Sequence, residues 1–257
     1  MLLLPFTKRY LKSYVKRKLS KIQARVSELE IAVDALIENP KYVSYDENGF
    51  NGQRLRKQIF RELTTALKFN AIVETGTQVG HTTGYMAEVS GLPVYSCELN
   101  RRPHLIAKMR LSDFKNIRLE LSDSLHYLNK LANSSLSQQN VFFYLDAHPD
   151  PGNTLAPPLG EEINIIANHW KDFVIMADDF LVPEDAGYKH NDYGKNNALS
   201  LKFIDREIKK HGLIPFFPSF PAAEETGYRA GCVVLTKTGI PEEQISRLTS
   251  LTRAKGF

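Results

Sequence analysis

Short apolar runs alternate with helix-length polar segments through most of the chain. Five of these runs are rich in β-branched and aromatic residues, as expected of buried strands: AIVET, PVYSCEL, NIRLEL, NVFFYLD and FVIMADD. This alternation is typical of βαβ units, whose parallel strands form an open sheet with helices on both faces. The last two runs, GLIPFFPSF and GCVVLT, have no helix between them and predict an antiparallel hairpin at one edge. The pattern therefore predicts an α/β fold with an open, mostly parallel, seven-stranded sheet.

Two helices are predicted before the first strand. The nearer one is amphipathic, with one apolar face formed by Leu55, Ile59, Leu63 and Leu67. In the other, apolar residues recur at alternating intervals of three and four: Leu19, Ile22, Val26, Leu29, Val33 and Leu36. This spacing fits a short coiled coil that joins two copies, and it fits equally a helix docked on its own domain, because about three heptads is the lower limit for telling them apart. Pro40 ends the pattern, so we divide the chain into a helical arm, residues 1–40, and an α/β domain, residues 41–257.

The net charge of the chain is unevenly distributed. The 257 residues carry a formal charge of +4, from 33 Lys and Arg against 29 Asp and Glu. Eight of the basic residues and none of the acids lie in the first 25 residues, which leaves the remainder with a net charge of −4. A mildly acidic domain argues against nucleic acid as its ligand and favours a small molecule. The basic arm could associate weakly with an anionic membrane surface, although a solvated basic face has the same composition.

The positions of the cysteines and the lengths of the apolar runs indicate in which cellular compartment the protein is located. Cys97 and Cys232 each lie inside an apolar stretch, which predicts two buried thiols rather than a disulfide. The run from Met1 to Phe6 is too short for the core of a signal peptide, and no later run approaches the length of a membrane span. We expect a cytoplasmic protein.

The turn after the first predicted strand, VETGTQVGHTT, is the first candidate binding site. Glu74 ends the strand, and Gly76 and Gly80 follow with three residues between them. His81 stands where a phosphate-binding P-loop has lysine, and the glycines lack the G-x-G-x-x-G spacing of a dinucleotide site, so a nicotinamide-dependent dehydrogenase is disfavoured. A carboxylate at this position would repel a pyrophosphate and attract a cation.

An acidic residue followed by spaced glycines resembles the first motif of the class I S-adenosylmethionine-dependent methyltransferases. The resemblance implies that Glu74 faces the positively charged methionine end of the cofactor. It also implies that Gly76 and Gly80 let the backbone approach the sulfonium and ribose, and Thr77 of the same turn belongs to this binding set.

Acids at the ends of the next two strands extend the resemblance. Glu98 ends the second strand, where such a carboxylate accepts hydrogen bonds from the ribose hydroxyls. After the third strand, the segment LSDS stands where the family places an acid against the adenine amino group, which assigns Asp123 and Ser124 to adenine. Asp123 could instead be the N-cap of a helix that starts at Leu125.

Three aspartates follow the fourth and fifth strands: Asp146, Asp178 and Asp179. Here the resemblance narrows to the macrocin O-methyltransferase-like branch, and it implies that these acids hold a magnesium ion that binds the hydroxyls of an acceptor sugar; oxygen ligands suit this ion. The segment DAH departs from that branch, where a glycine-rich DGD-like turn is common. Adjacent strand residues face opposite sides, so Asp179 could cap a turn instead of binding the metal.

The predicted reaction is metal-assisted O-methylation of a small hydroxylated molecule, with a sugar as one candidate. A metal held by Asp146 would lower the pKa of the acceptor hydroxyl, and His148 would remove its proton, with His190 as the second choice of base. His148 could equally be structural or a metal ligand. The competing hypothesis is an inactive cofactor-binding scaffold that acts through its helical arm.

Overall fold

The computed structural model describes residues 5–37, 45–149, 156–194 and 197–256. The chain divides into two compact units, Met1–Tyr42 and Val43–Phe257. Pro40, where the sequence pattern places the boundary, lies outside the described residues.

The first unit contains one long helix, α1 (Pro5–Ile37). Its 33 residues span about 50 Å at 1.5 Å per residue. Proline occurs only at its first position, where no intrahelical N–H is needed, and glycine is absent, which accounts for the uninterrupted length. The apolar residues of the predicted seam between Leu19 and Val33 are exposed. Among the described residues, no helix has the length and apolar character needed to span a membrane.

The second unit alternates helices and strands. Its helices are α2 (Tyr45–Asn48), α3 (Arg54–Ala66), α4 (His81–Ser90), α5 (Arg101–Arg110), α6 (Ser124–Ala132), α7 (Leu159–His169), α8 (Asp205–His211) and α9 (Ile240–Ile245). Its strands are β1 (Ala71–Thr75), β2 (Val94–Glu98), β3 (Ile117–Leu121), β4 (Val141–Leu145), β5 (Phe173–Ala177), β6 (Leu213–Pro218), β7 (Val233–Lys237) and β8 (Leu251–Arg253).

In the described part of the chain the strands form one sheet in the order β3-β2-β1-β4-β5-β7-β6-β8. Strands β1 to β5 are parallel, whereas β7 is antiparallel to both β5 and β6. The predicted α/β fold with its antiparallel edge hairpin is confirmed. The additional strand β8 pairs antiparallel with β6, and its three residues are too few to give a readable alternation.

The direction of winding reverses between β1 and β4. Strand β1 pairs with β2 on one side and with β4 on the other, so that Thr75 is level with Cys97 and with Leu145. The loops after β1 and β4 then leave the sheet toward opposite faces, and in open α/β sheets ligands bind at the carboxyl ends of the strands at such a reversal.

The central strands are buried on both faces of the sheet. Neighbouring residues of one strand belong to different hydrophobic clusters: Ile72 and Phe142 pack with α3 and α4, whereas Val73 and Phe143 pack with α6 and α7. Both layers hold the central strands in place, and the carboxyl ends of β1, β4 and β5 are therefore fixed relative to one another.

Candidate cofactor and acceptor site

The glycine turn connects β1 to α4 across the end of the sheet. Gly76 has φ +89°, and a Cβ at this position would overlap the carbonyl group of Asp146. The N–H groups of Gly76 and Thr77 both donate to the carbonyl of Cys97 at 3.0 Å. Gly80 has φ +87° and precedes the first residue of α4. The turn is thus tied to β2 and lies against the end of β4, which only a residue without a side chain allows at Gly76.

Glu74 lies beneath this turn and is 1% exposed. Its Oε2 accepts hydrogen bonds from the hydroxyls of Thr83 and Ser96, each at 2.5 Å, and the Ser96 hydroxyl is also 2.5 Å from that of Thr77. Burial raises the pKa of Glu74 and the two hydroxyl contacts lower it in part, so that the resulting pKa is about 7. Glu74 therefore supports the turn from below, and its contact with the methionine end of a cofactor stays a prediction.

Glu98 stands at the end of β2 beside the same turn and is 7% exposed. Its Oε2 accepts from the backbone N–H of Gln78 at 2.8 Å, and its Oε1 accepts from that of Asn100 at 2.7 Å. Each carboxylate oxygen can accept more than one hydrogen bond, so both retain capacity for ribose hydroxyls. The predicted ribose role fits this geometry.

Asp123 is the N-cap of α6, and its Oδ1 accepts from the N–H of His126 at 2.9 Å. The helix starts at Ser124, one residue before the predicted start, and Ser124 is buried. The capping alternative considered from the sequence is therefore observed, because the carboxylate satisfies a free N–H of the first turn. The predicted adenine contact of Asp123 and Ser124 would have to use the remaining oxygen atoms.

Asp178 follows β5 directly and forms a buried ion pair with Arg56 of α3. The Nη1 atom of Arg56 lies 2.6 Å from Oδ1 of Asp178, and both side chains are 1% exposed. The Tyr144 hydroxyl donates to Oδ2, and Nη2 of Arg56 donates to the carbonyl of Ala230 at 2.7 Å. Burial by itself would raise the pKa of Asp178, but Arg56 and the Tyr144 hydroxyl hold it below its ordinary value. Asp178 is thus an ionised carboxylate with its charge already matched.

Arg56 is positioned by the capping of its helix. Both oxygens of Glu225 accept from the first turn of α3, from the N–H of Leu55 at 2.9 Å and of Arg56 at 3.0 Å. A carboxylate at this end also complements the helix dipole. The loop between β6 and β7 contains Glu225 and Ala230. It therefore holds both the N-terminal end of α3 and the Arg56 guanidinium in place.

Asp179 adopts φ +52°, so the strand has already ended at this residue. Its carbonyl accepts from the N–H of Asn191 at 2.9 Å, and its Oδ2 accepts from the Asn191 side-chain amide at 2.8 Å. Burial and the neighbouring Asp178 raise the pKa of Asp179 to about 7. Asp179 thus holds the loop after β5, as the turn-capping alternative predicts.

Asp146 and His148 lie in the segment after β4. Burial, with Asp178 and Asp179 nearby, raises the pKa of Asp146 well above its ordinary value. The Nε2 of His148 is 3.2 Å from the carbonyl oxygen of Asp178, and its buried Nδ1 has no hydrogen-bond partner among the described residues. Burial lowers the pKa of His148 to about 4, so the ring is neutral near pH 7. Because a carbonyl only accepts, Nε2 carries the proton and Nδ1 has a free lone pair.

The residues of the predicted magnesium site do not fit that ion. Within the described ranges, no group of three or more His, Cys, Asp or Glu side chains is arranged to hold a metal. The oxygens of Asp178 are engaged by Arg56 and Tyr144, and Asn191 engages Asp179. The geometry therefore does not support the expectation that Asp146, Asp178 and Asp179 jointly bind Mg²⁺: the cation beside Asp178 is a guanidinium.

Arg56, Tyr144 and Glu162 are site residues that sequence reasoning missed. Arg56 precedes Ile59 by three residues and Leu63 by seven, so a charged side chain on the apolar face of α3 was a readable signal. Glu162 of α7 is fully buried, and neither of its oxygens has a hydrogen-bond partner among the described residues. Burial raises the pKa of Glu162 and nearby hydroxyls lower it in part, so that the resulting pKa is about 7. Tyr144 gave no signal within its apolar strand.

Comparison with known proteins identifies the fold. No family model matches the chain, and no curated protein matches it. The O-methyltransferase from Bacillus cereus in complex with S-adenosylhomocysteine superposes with a TM-score of 0.52 at 16% identity, covering 82% of this chain and 91% of that one. A protein from Klebsiella pneumoniae provisionally classed as an O-methyltransferase gives 0.50 at 14% identity, covering 72% and 81%. The chain has the Rossmann-like fold of these methyltransferases.

Proposed function

We propose that this chain is an S-adenosylmethionine-dependent methyltransferase that methylates a hydroxyl group of a small molecule, with sugars among the candidate acceptors. The observation that carries the proposal is the arrangement of residues at the switch between β1 and β4. There the glycine turn lies against the backbone of Asp146, and His148, a half-buried neutral histidine, follows two residues later. The same fold holds S-adenosylhomocysteine in the Bacillus cereus O-methyltransferase.

The cofactor would be held along the ends of β1, β2 and β3. Glu98 has acceptor capacity left for the ribose hydroxyls, and the bare backbone at Gly76 and Gly80 allows close approach. Asp123 and Ser124 lie at the next strand end, where adenine would be placed. When bound, the cofactor supplies an electrophilic methyl group: the acceptor oxygen forms a bond to carbon as the sulfur–carbon bond breaks, and S-adenosylhomocysteine leaves.

His148 would act as the base for the acceptor hydroxyl. The carbonyl of Asp178 fixes the proton on Nε2 and leaves the lone pair on Nδ1. Nδ1 is buried, so the acceptor would have to displace the groups that cover it before its hydroxyl proton could pass to that atom. The ring that results is cationic, and the ionised carboxylate of Asp178 would stabilise it. Arg56 contributes by holding Asp178, whose carbonyl orients the ring. No step of this mechanism passes through a metal ion.

The cofactor half of the proposal is tested by calorimetry with S-adenosylhomocysteine on the full chain. Wild type should bind, and Glu98→Ala should bind about 10- to 100-fold more weakly, because a hydrogen bond to a charged group contributes roughly 1.5–3 kcal/mol. Glu98→Gln checks for misfolding, since it retains one acceptor oxygen. Glu88→Ala, at an exposed acid of α4, is the matched control and should bind like wild type. Absence of binding to wild type, or equal binding by Glu98→Ala, would refute the proposal.

The transfer half is tested by following a labelled methyl group from S-adenosylmethionine to a panel of sugars and other small alcohols. His148→Gln should lose transfer at least 100-fold while its affinity for S-adenosylhomocysteine stays unchanged. Cofactor binding without transfer to any member of the panel would favour the scaffold alternative. Full transfer by His148→Gln would remove the histidine from the mechanism.

A further inference from the structure

Helix α1 presents an apolar stripe of exposed side chains. The stripe consists of Leu19, Ile22, Val26, Leu29 and Val33, whose exposed fractions are 53, 55, 47, 65 and 50%. Scattered exposed apolar residues are ordinary, but a continuous row over four turns of one helix marks a contact surface.

The part of the row from Val26 to Val33 has the order of residue types that two-stranded coiled coils prefer. With Leu19 at heptad position a, the d positions are Ile22 and Leu29, and the following a positions are Val26 and Val33. β-Branched residues at a with leucine at d favour parallel pairs over trimers and tetramers. Val26, Leu29 and Val33 follow this order, whereas Leu19 at a and Ile22 at d reverse it. The C-terminal part of the stripe therefore favours two helices side by side in the same direction.

The preceding heptad fits the same arrangement. Val15, 46% exposed, takes the d position, and Lys12 takes the a position. A single lysine at an a position lowers the stability of a coiled coil but specifies its register and number of strands. The pattern then covers three heptads, residues 12–33, which lie entirely within α1.

The charged residues at the g and e positions beside the stripe are complementary in a parallel pair of helices. Arg25 occupies a g position and Glu30 the e position five residues later, and both are exposed. In a parallel pair, each g residue faces the e residue of the next heptad of the partner helix, so Arg25 of one copy meets Glu30 of the other, twice per pair. An antiparallel pair would bring g residues against g residues and lose this match.

The alternative of a membrane surface fits less well. A helix lying on a membrane needs a wide apolar face opposite a basic one. The stripe of α1 is the narrow two-position seam, and Lys16, Arg17, Lys18 and Lys21 occupy four different heptad positions around it.

We propose that α1 pairs in parallel with α1 of a second copy of this chain and forms a two-stranded coiled coil over residues 12–33. The inference is independent of the proposed methyltransferase function, because it rests on the arm alone.

Mass measurement by light scattering on the full chain tests the pairing. Wild type should have the mass of a dimer, and Val26→Asp in the seam should shift it to a monomer. Ala24→Asp introduces the same charge at an exposed position f of the same helix and should remain dimeric. A monomeric wild type overturns the proposal, and so does a Val26→Asp variant that dimerises as wild type does. If wild type is a monomer and binds anionic vesicles through α1, the stripe is a membrane-binding surface and the proposal is wrong.

Charge exchange tests the parallel register. Arg25→Glu and Glu30→Arg should each raise the dimer dissociation constant, roughly two- to tenfold, because each creates two like-charge pairs. The double variant carrying both changes should restore the wild-type constant. Single variants that weaken the dimer without rescue in the double variant would overturn the parallel arrangement.

Discussion

At the scale of single residues, the ion pair of Arg56 and Asp178 places two opposite charges in the interior at the end of β5. The guanidinium is held at 2.6 Å from the carboxylate, and both groups are removed from water. Breaking such a pair by removing one partner is far more costly than losing an exposed pair, because the remaining charge stays buried and uncompensated.

Replacing Arg56 by methionine should therefore destabilise the protein by about 3–5 kcal/mol, measured by denaturant unfolding. The double variant Arg56→Met/Asp178→Asn should recover much of this loss, since no buried charge is left. Lys209→Ala, which removes an exposed pair with Asp205, is the control and should change the stability by less than about 1 kcal/mol. Equal losses for Arg56→Met and Lys209→Ala would contradict the argument.

The same pair sets the response to divalent ions. Because Arg56 and Tyr144 already engage the carboxylate of Asp178, millimolar Mg²⁺ should leave the melting temperature of wild type unchanged, and a chelator should not lower it. Thermal unfolding with and without each additive measures this. A rise in melting temperature with Mg²⁺ that disappears in Asp146→Asn would restore the metal site that the sequence predicts.

Glu162 gives a stability effect that depends on pH. Its pKa is raised to about 7 in the folded protein, so its stabilising contribution is present below its unfolded value near 4.5 and is lost as the pH rises through 7. Glu162→Gln should match wild type at pH 4.5 and exceed it at pH 8 by roughly 3 kcal/mol at most. Unfolding curves at the two pH values measure the difference, and a constant offset between the variants would contradict it.

At the scale of elements, the glycine turn depends on close contact between the ends of β1 and β4. Gly76→Ala meets two costs, a positive φ and overlap with the Asp146 carbonyl, and should destabilise by more than about 2 kcal/mol. Gly91→Ala is the matched control: Gly91 also has positive φ, but its added Cβ would have no neighbour within 4 Å, so we expect about 1 kcal/mol. Chemical denaturation compares them. Equal losses would mean that the contact with Asp146 does not constrain the turn.

The sequence predicted most elements because their signals are local. Apolar runs between helix-length segments located the parallel strands and the edge hairpin, and the glycines located the turn. The pairing of Arg56 with Asp178 was not predictable in this way, since 122 residues separate them and no local pattern links their side chains. For the same reason the sequence placed the aspartates at one edge of the sheet but did not predict that a guanidinium pairs with Asp178.

At the scale of the whole molecule, the two units differ in how their apolar residues are buried. The α/β unit buries its apolar residues on both faces of the sheet, whereas α1 exposes a regular apolar stripe. The spacing of that stripe was predictable from the sequence, but two partners remained possible: a second copy of the helix and the chain's own domain. A coiled-coil interface and a helix face that packs on its own domain have the same spacing of apolar residues. Only the types of residue in the stripe and the charges beside it can distinguish the two.

The buried carboxyl groups also make unfolding a source of protons. Glu74, Glu162 and Asp179 each have a folded pKa of about 7, and each would ionise on exposure to water at that pH. His148, whose pKa is lowered to about 4, takes up little in return at pH 7, because an exposed histidine is mostly neutral there. Unfolding at pH 7 should therefore release roughly one proton or more per chain. The calorimetric heat of unfolding should then differ between phosphate and Tris, in proportion to the heats with which these buffers bind the released protons.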